Sequence, residues 1–187
     1  MAELLYLVGA SGSGKDSIMR HARQHLAHEP GIVFAHRYIT RAADAGGENH
    51  IALTPLEFEA RRALGLFALD WASNGHCYGI GIEIDAWLAR GATVLVNGSR
   101  EHLPQAQKRY PCLRAVRVEV SPETLRTRLR ARGRESEADI ERRLERHAML
   151  CRMADGATVI DNNGDLACAG EALIRLIREG QRESVRV

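Results

Sequence analysis

Near the start of the chain a run rich in glycine and serine, Gly9-Ala10-Ser11-Gly12-Ser13-Gly14, leads into Lys15, Asp16 and Ser17. The spacing is G-x-x-x-x-G-K, and these residue types suit one task, the cradling of phosphates. Glycines let the backbone curl until successive N–H groups point inward at an anion. Lys15 then brings a compact, flexible charge to the β- and γ-phosphates. Of the 26 lysines and arginines, only Lys15 and Lys108 are lysine, so an arginine-using chain keeps a lysine where a point charge is wanted. The context agrees. Residues 4–8 form an apolar run suited to a short buried parallel strand. After the loop, Ile18, Met19, Ala22 and Leu26 recur at helical spacing. Strand, glycine loop and helix N-terminus together make an anion site for ATP. A glycine-rich turn that merely precedes a lysine would leave this agreement unexplained.

The loop breaks its usual pattern once. The residue after the lysine is normally Ser or Thr, whose hydroxyl binds Mg²⁺; here it is Asp16, with Ser17 next. A carboxylate is a good hard ligand, but it sets negative charge beside a triphosphate unless the metal lies between them. Asp16 and Ser17 are therefore the expected metal ligands. A second departure lies at the end of the β-branched strand over residues 92–96. P-loop enzymes commonly place an Asp there, whereas this chain has Asn97-Gly98-Ser99-Arg100. Either the metal's carboxylate has moved from strand to loop, or the two positions have drifted independently. The plain reading of Asn-Gly is a turn.

The elements that must position these groups follow in alternation. Pro30-Gly31 ends the first helix, and residues 32–35 read as a second strand. Residues 36–50 are polar and irregular; Arg37, Tyr38, Thr40 and Arg41 are either phosphate donors on a loop after a strand or part of a solvated loop. A helix opens at Pro55, followed by an apolar run over 66–71 and a turn reaching Tyr78, which either offers a phosphate its hydroxyl or packs. Residues 84–89 read as a helix stopped by Gly91. A further strand over 115–120 leads through an N-cap at Ser121 into a helix starting at Pro122. A last strand over 157–160, a turn at 161–164 and a helix over 165–180 close the chain. Strands alternating with helices predict an α/β fold, a parallel sheet covered on both faces with the glycine loop at its carboxyl end.

Two clusters admit two readings each. His21, His25 and His28, spaced by four and three on the first helix, form either a metal face or a solvated flank. Arg126, Arg128, Arg130, Arg132, Arg134, Arg142, Arg143 and Arg146 are interspersed with Glu135, Glu137, Asp139, Glu141 and Glu145. With no aromatic residues to stack on bases, a nucleic-acid stripe is disfavoured. Most of these arginines read as solvated, and a subset around Arg132, Arg134 and Arg143 as a mobile lid over the transferring phosphate.

Composition bounds the rest. At 187 residues, 45% hydrophobic and 27% charged, the chain fits one domain with its own core. A net charge of +2 gives no electrostatic argument for nucleic acid or membrane partners. No apolar run approaches the roughly 20 residues of a membrane span, and the first strand begins too early for a leader peptide. Cys77, Cys112, Cys151 and Cys168 show no C-x-x-C pairing and read as reduced thiols of a cytoplasmic protein. Oligomeric state is not legible. The residues alone thus point to phosphotransfer from ATP with Mg²⁺ to a small acceptor.

The whole chain resembles the guanylate-kinase-like P-loop NTPases through residues 9–17, Tyr38-Ile39-Thr40-Arg41, Leu69-Asp70-Trp71-Ala72, Tyr78-Gly79, Arg132-Gly133 and Ile140-x-x-Arg143-Leu144. That resemblance implies a core (1–36, 85–125 and 154–187), an acceptor-binding insertion (37–84) and a helical lid (about 126–153). Guanylate kinases carry a second arginine where this chain has Asp44, a guanine-reading Glu where it has Asp70, and Asp-x-Asp where it has Asn97-Gly98-Ser99. The strings Gly14-Lys15-Asp16-Ser17, His36-Arg37-Tyr38-Ile39-Thr40-Arg41, Glu48-Asn49-His50-Ile51-Ala52-Leu53 and Val96-Asn97-Gly98-Ser99-Arg100 resemble the ribose 1,5-bisphosphate phosphokinase family of phosphonate degradation. The resemblance implies ATP-dependent phosphorylation of a sugar bisphosphate at its 1-phosphate, giving 5-phosphoribosyl 1-diphosphate (PRPP). It implies acceptor binding by Arg37, Tyr38, Arg41, Asp70, Tyr78, Asn97 and Arg100, and charge neutralisation by Lys15, Arg132 and Arg143. Alternatives are a true guanylate kinase or other small-acceptor kinase, and a non-catalytic binding module of the same fold, which an intact phosphate loop disfavours.

Overall fold

The computed structural model describes residues 2–43, 48–133, 136–150 and 156–185; the side chains of Arg132, Leu150 and residues 182–185 lie outside it. Arg134, Asp44 and Cys151, which entered the sequence reading, also fall outside the described residues.

The chain runs β1 (Glu3–Gly9), α1 (Lys15–His25), β2 (Ile32–Phe34), β3 (Arg37–Ile39), β4 (Ile51–Ala52), α2 (Pro55–Ala63), β5 (Phe67–Ser73) and β6 (His76–Gly81). It continues with α3 (Glu83–Ala89), β7 (Thr93–Asn97), α4 (Leu103–Arg109), β8 (Arg114–Glu119), α5 (Pro122–Arg132), α6 (Glu137–Leu150), β9 (Thr158–Asp161) and α7 (Leu166–Val185). Five strands form a sheet in the order β2-β7-β1-β8-β9, every pairing parallel. β1 lies at its centre, and Leu5, Tyr6, Leu7 and Val8 are wholly buried. Their alternation serves two cores. Leu4, Tyr6 and Val8 pack with Val94, Val96, Trp71 and Ile84. Leu5 and Leu7 pack with Ile18 and Ala22 of α1 and Leu173 and Ile177 of α7. Each large side chain so buried contributes on the order of 1.5–3 kcal/mol. A third cluster, with Ala10, Leu125, Leu129, Ile140 and Leu144, ties α5 and α6 to the glycine loop.

The second sheet was not legible as such. Four strands lie in the order β4-β3-β6-β5: β3 pairs parallel with β4 and antiparallel with β6, which pairs antiparallel with β5. The stretch that reads as a polar loop thus begins with a strand at Arg37, because β6 supplies the partner that three residues cannot signal by themselves. α2 starts as expected: Thr54 accepts from the Glu57 backbone, and Glu57 reaches back to the Thr54 N–H, a capping box in which the Thr54 cap is worth about 1 kcal/mol. No helix among the described residues is long and apolar enough to cross a membrane. Cys77, Cys112 and Cys168 are free thiols.

Candidate active site

The glycine loop leaves the carboxyl end of β1 and turns into α1 through left-handed backbone at Gly12 (φ 96°) and Gly14 (φ 87°). A Cβ at Gly14 would also stand 2.4 Å from Asn162 Nδ2, so glycine is required there on both counts. That approach has a purpose. Asn162 Nδ2 donates to the Ser13 carbonyl at 2.6 Å. Arg128 Nη1 donates to the same oxygen at 3.4 Å and its Nη2 to the Asn162 carbonyl at 2.8 Å. Sequence reading placed Asn162 in a turn and Arg128 on a solvated face; both brace the loop. The Ser13 hydroxyl is buried without a hydrogen-bond partner among the described residues. The loop's geometry fits a polyphosphate at the α1 N-terminus.

From α1 the side chains of Lys15 and Asp16 enter a hydrogen-bonded cluster. Asn97, at the end of β7 and 4% exposed, accepts from Lys15 Nζ and donates from Nδ2 to Asp16 Oδ1 at 2.7 Å and Glu48 Oε1 at 3.1 Å. The two departures from the usual phosphate-loop pattern are therefore in direct contact. Burial pushes the Lys15 ammonium below its ordinary pKa, a shift opposed by Asp16 and Glu48 and added to by Arg37. Burial would raise Asp16, but Lys15, Arg37 and the Asn97 hydrogen bond together hold its carboxyl below the usual range.

Glu48 joins this cluster to Arg37 and Arg41. Its carboxylate accepts a two-pronged bond from Arg37 Nε and Nη2 and lies 3.6 Å from Arg41 Nη2. The Arg41 Nε is buried with no hydrogen-bond partner among the described residues, a donor that an anion would satisfy. The Arg37 guanidinium lies 5.0 Å from the Tyr78 ring centroid, and Tyr78 stacks on Trp71 at 5.6 Å.

Strand alternation decides the remaining acceptor candidates. Ile39 pairs with Tyr78, and Tyr38 with Gly79; Trp71 pairs with Tyr78, and Asp70 with Gly79. Opposed residues share a face, so Arg37, Trp71 and Tyr78 face the cavity while Tyr38 and Asp70 face α2. Tyr38 donates to Glu83 Oε1 at 3.2 Å, and Asp70 accepts from Arg62 Nε at 2.9 Å. Tyr38 and Asp70, expected at the acceptor site, are not among the described residues that line the cavity.

The cavity that results is about 520 Å³ and is lined by residues 9–12 and 14–17, Arg37, Arg41, Glu48, Tyr78, Arg100 and Arg143 among others. α6 closes one wall. Arg143 Nη1 donates to Ser11 Oγ at 2.7 Å. Arg146 bonds both Glu101 oxygens at 2.8 Å and Asn74 Oδ1 at 3.2 Å, so it bridges α6 to the β5–β6 turn. Arg100 Nη1 donates to His147 Nδ1 at 3.3 Å while His147 Nε2 donates to the Val120 carbonyl at 3.3 Å, the neutral tautomer. Burial, then the Arg100 charge, lowers the His147 pKa. Arg126, Arg130 and Arg142 pair with Glu141, Glu137 and Asp139 at the surface, which is the solvated role expected for most of this stretch. At the cavity floor the Tyr6 hydroxyl accepts from Ser99 N at 3.0 Å, and burial pushes its pKa up to about 12. A Cβ at Gly98 would stand 2.2 Å from the Tyr6 ring, so Asn97-Gly98 is more than a turn dipeptide.

Sequence reasoning assigned no role to Glu48, Trp71 or His147, and it read Arg146 only as one of a largely solvated arginine cluster. Of these, Glu48 left a signal, as the acid that opens the string Glu48-Asn49-His50-Ile51-Ala52-Leu53.

No family model matches the chain. The ribose 1,5-bisphosphate phosphokinase PhnN of Thiobacillus denitrificans is 55% identical over 177 residues, covering 95% of this chain and 93% of the relative. That of Desulfomicrobium baculatum is 54% identical over 179 residues, 96% of either chain. Among solved structures, guanylate kinase from Anaplasma phagocytophilum superposes with a TM-score of 0.70 at 18% identity, covering 96% of this chain and 86% of that one, a likeness of fold.

Proposed function

The chain belongs to the ribose 1,5-bisphosphate phosphokinase family, and we propose that it transfers the γ-phosphoryl group of ATP to the 1-phosphate of ribose 1,5-bisphosphate. The products are 5-phosphoribosyl 1-diphosphate and ADP, and the setting is phosphonate catabolism in the cytoplasm. One observation carries the reading. Lys15 and Asp16 on the donor side and Arg37 on the acceptor side, with Arg41 beside it, are joined through Asn97 and Glu48 at the edge of one cavity.

Residues 9–15 hold the ATP phosphates through backbone N–H groups, and Lys15 meets the γ-phosphoryl group. Asp16 and Ser17 are among the residues lining the cavity; their carboxylate and hydroxyl are hard oxygen donors of the kind that would hold Mg²⁺, which would neutralise charge on the ATP phosphates. Arg37 and Arg41 take the acceptor's 1-phosphate, with Tyr78 beneath Arg37. Arg100 is the candidate for the other phosphate. An oxygen of the 1-phosphate attacks γ-phosphorus in line, and the bond to the β–γ bridging oxygen breaks as ADP leaves. The attacking oxygen is already ionised, so no general base is required; catalysis is positioning and charge stabilisation. Arg143, held beside the phosphate loop by Ser11, supplies lid charge, and Arg132 remains a lid candidate from the sequence.

The test is ADP release with ATP and Mg²⁺, comparing ribose 1,5-bisphosphate with GMP. Turnover of the sugar bisphosphate alone supports the proposal; turnover of GMP alone overturns it.

A further inference from the structure

Phosphotransfer makes no use of the histidines on α1. The rings of His21 and His25 stack with centroids 4.1 Å apart and planes inclined by 26°. α1 ends at His25, so His28 lies beyond the helix, and the third group comes instead from α7. His21 Nε2 lies 3.3 Å from Glu171 Oε1. One ring nitrogen of each histidine and one Glu171 oxygen all lie within 4.8 Å of one another.

Two details distinguish this cluster from a chance surface contact. His25 Nδ1 stands 2.9 Å from the His21 carbonyl. Donation there leaves Nε2 with its lone pair bare, the outer contact that orients a metal-binding imidazole. Gly170 lies inside α7, where glycine costs about 1 kcal/mol relative to alanine. A Cβ at that position would stand 2.3 Å from His21 Cδ2, so the glycine makes the space the ring occupies.

We infer that His21, His25 and Glu171 form a site for a divalent transition cation of the Zn²⁺ class, joining α1 to α7. Two imidazoles and a carboxylate favour such ions over Mg²⁺. Three protein ligands leave the fourth tetrahedral position to water. Ligand atoms around a tetrahedral ion with bonds near 2.0 Å stand roughly 3.3 Å apart, the separation His21 and Glu171 already hold. The exposed Glu171 side chain has room to turn toward His25. The site lies on the C-terminal half of α1, whereas Lys15 and Asp16 occupy its first turn, so it is separate from the phosphate loop.

The experiment is calorimetric titration of the full-length, tag-free protein with Zn²⁺ in excess Mg²⁺, with Co²⁺ as a spectroscopic stand-in. One equivalent is expected to bind, with a visible Co²⁺ band and a rise in melting temperature. His25→Asn and Glu171→Gln should each weaken binding by at least about tenfold, while Cys168→Ser, which removes an exposed thiol from the same helix, should leave it unchanged. The inference is overturned by absence of binding, by binding that survives both cluster substitutions, or by binding that Cys168→Ser abolishes.

Discussion

In the proposed function the cavity has a half for the phosphoryl donor and a half for the acceptor, and the two are built in opposite ways. The donor half is a continuous stretch, residues 9–17, whose chemistry resides largely in backbone N–H groups and whose shape is imposed by glycines in left-handed conformation. The acceptor half is assembled from side chains scattered over β3, β5, β6 and the approach to β4, and its shape is imposed by strand register. In the first half a neighbour in sequence is a neighbour in space. In the second, adjacent residues such as Arg37 and Tyr38 serve different surfaces.

Substitutions can sharpen or break that contrast. The largest effect belongs to the donor half: Lys15→Ala should lower kcat for phosphotransfer by about 10³-fold or more while the fold persists, checked by ADP release and circular dichroism. Next comes Arg37→Lys, which keeps a charge beside Glu48 but loses the two-pronged fork. It should raise the acceptor KM by about 10- to 100-fold with little change in the KM for ATP; a rise confined to ATP would break the division into halves. A double-mutant cycle of Asp16→Ser and Asn97→Asp probes the seam. Because these side chains touch, their effects should fail to add by about 0.5–3 kcal/mol in kcat/KM; strict additivity would mean the two positions drifted independently. Tyr38→Phe and Asp70→Asn, facing α2, should change acceptor kinetics by less than about fivefold, the scale of a surface pair.

The smallest effect concerns pH. His147 is held neutral between Arg100 and the Val120 carbonyl, and its folded pKa is depressed. Above the unfolded value near 6.5 neither state is protonated and the residue has no pH-dependent effect. As pH falls below that value the unfolded chain takes up a proton that the folded chain resists, so stability declines. His147→Gln should flatten this decline, read as melting temperature between about pH 6.5 and 5. An unchanged slope would mean that His147 does not carry it.

The same contrast explains what the sequence disclosed. The phosphate loop, the alternating strands and helices and the Ser121 cap were legible because each signal is local. Asp16 and Asn97 stood out as departures from a pattern, and only the fold showed that they touch. β3 was not legible, since three residues carry no periodicity and its partner β6 lies some forty residues on. Tyr38 and Asp70 looked like site residues for the same reason: their facing depends on pairings that residue type does not encode. Glu48 escaped because an acid among arginines read as phosphate donors runs against the expected charge pattern.

Glu48 also bears on selectivity among the anions of a cell. At rest its carboxylate already answers Arg37 and stands beside Arg41, so the pocket is far from a bare positive trap. Inorganic phosphate or sulfate, which would have to compete with an attached and nearly dehydrated carboxylate, gains little by entering alone. A sugar carrying a phosphate at each end brings a second anchorage to the same event, and the two contacts reinforce each other through a high effective concentration. With Arg37 and Arg41 holding an acceptor phosphate as proposed, the internal acid would raise the threshold for entry, and doubly charged acceptors would clear it where the abundant small ions would not.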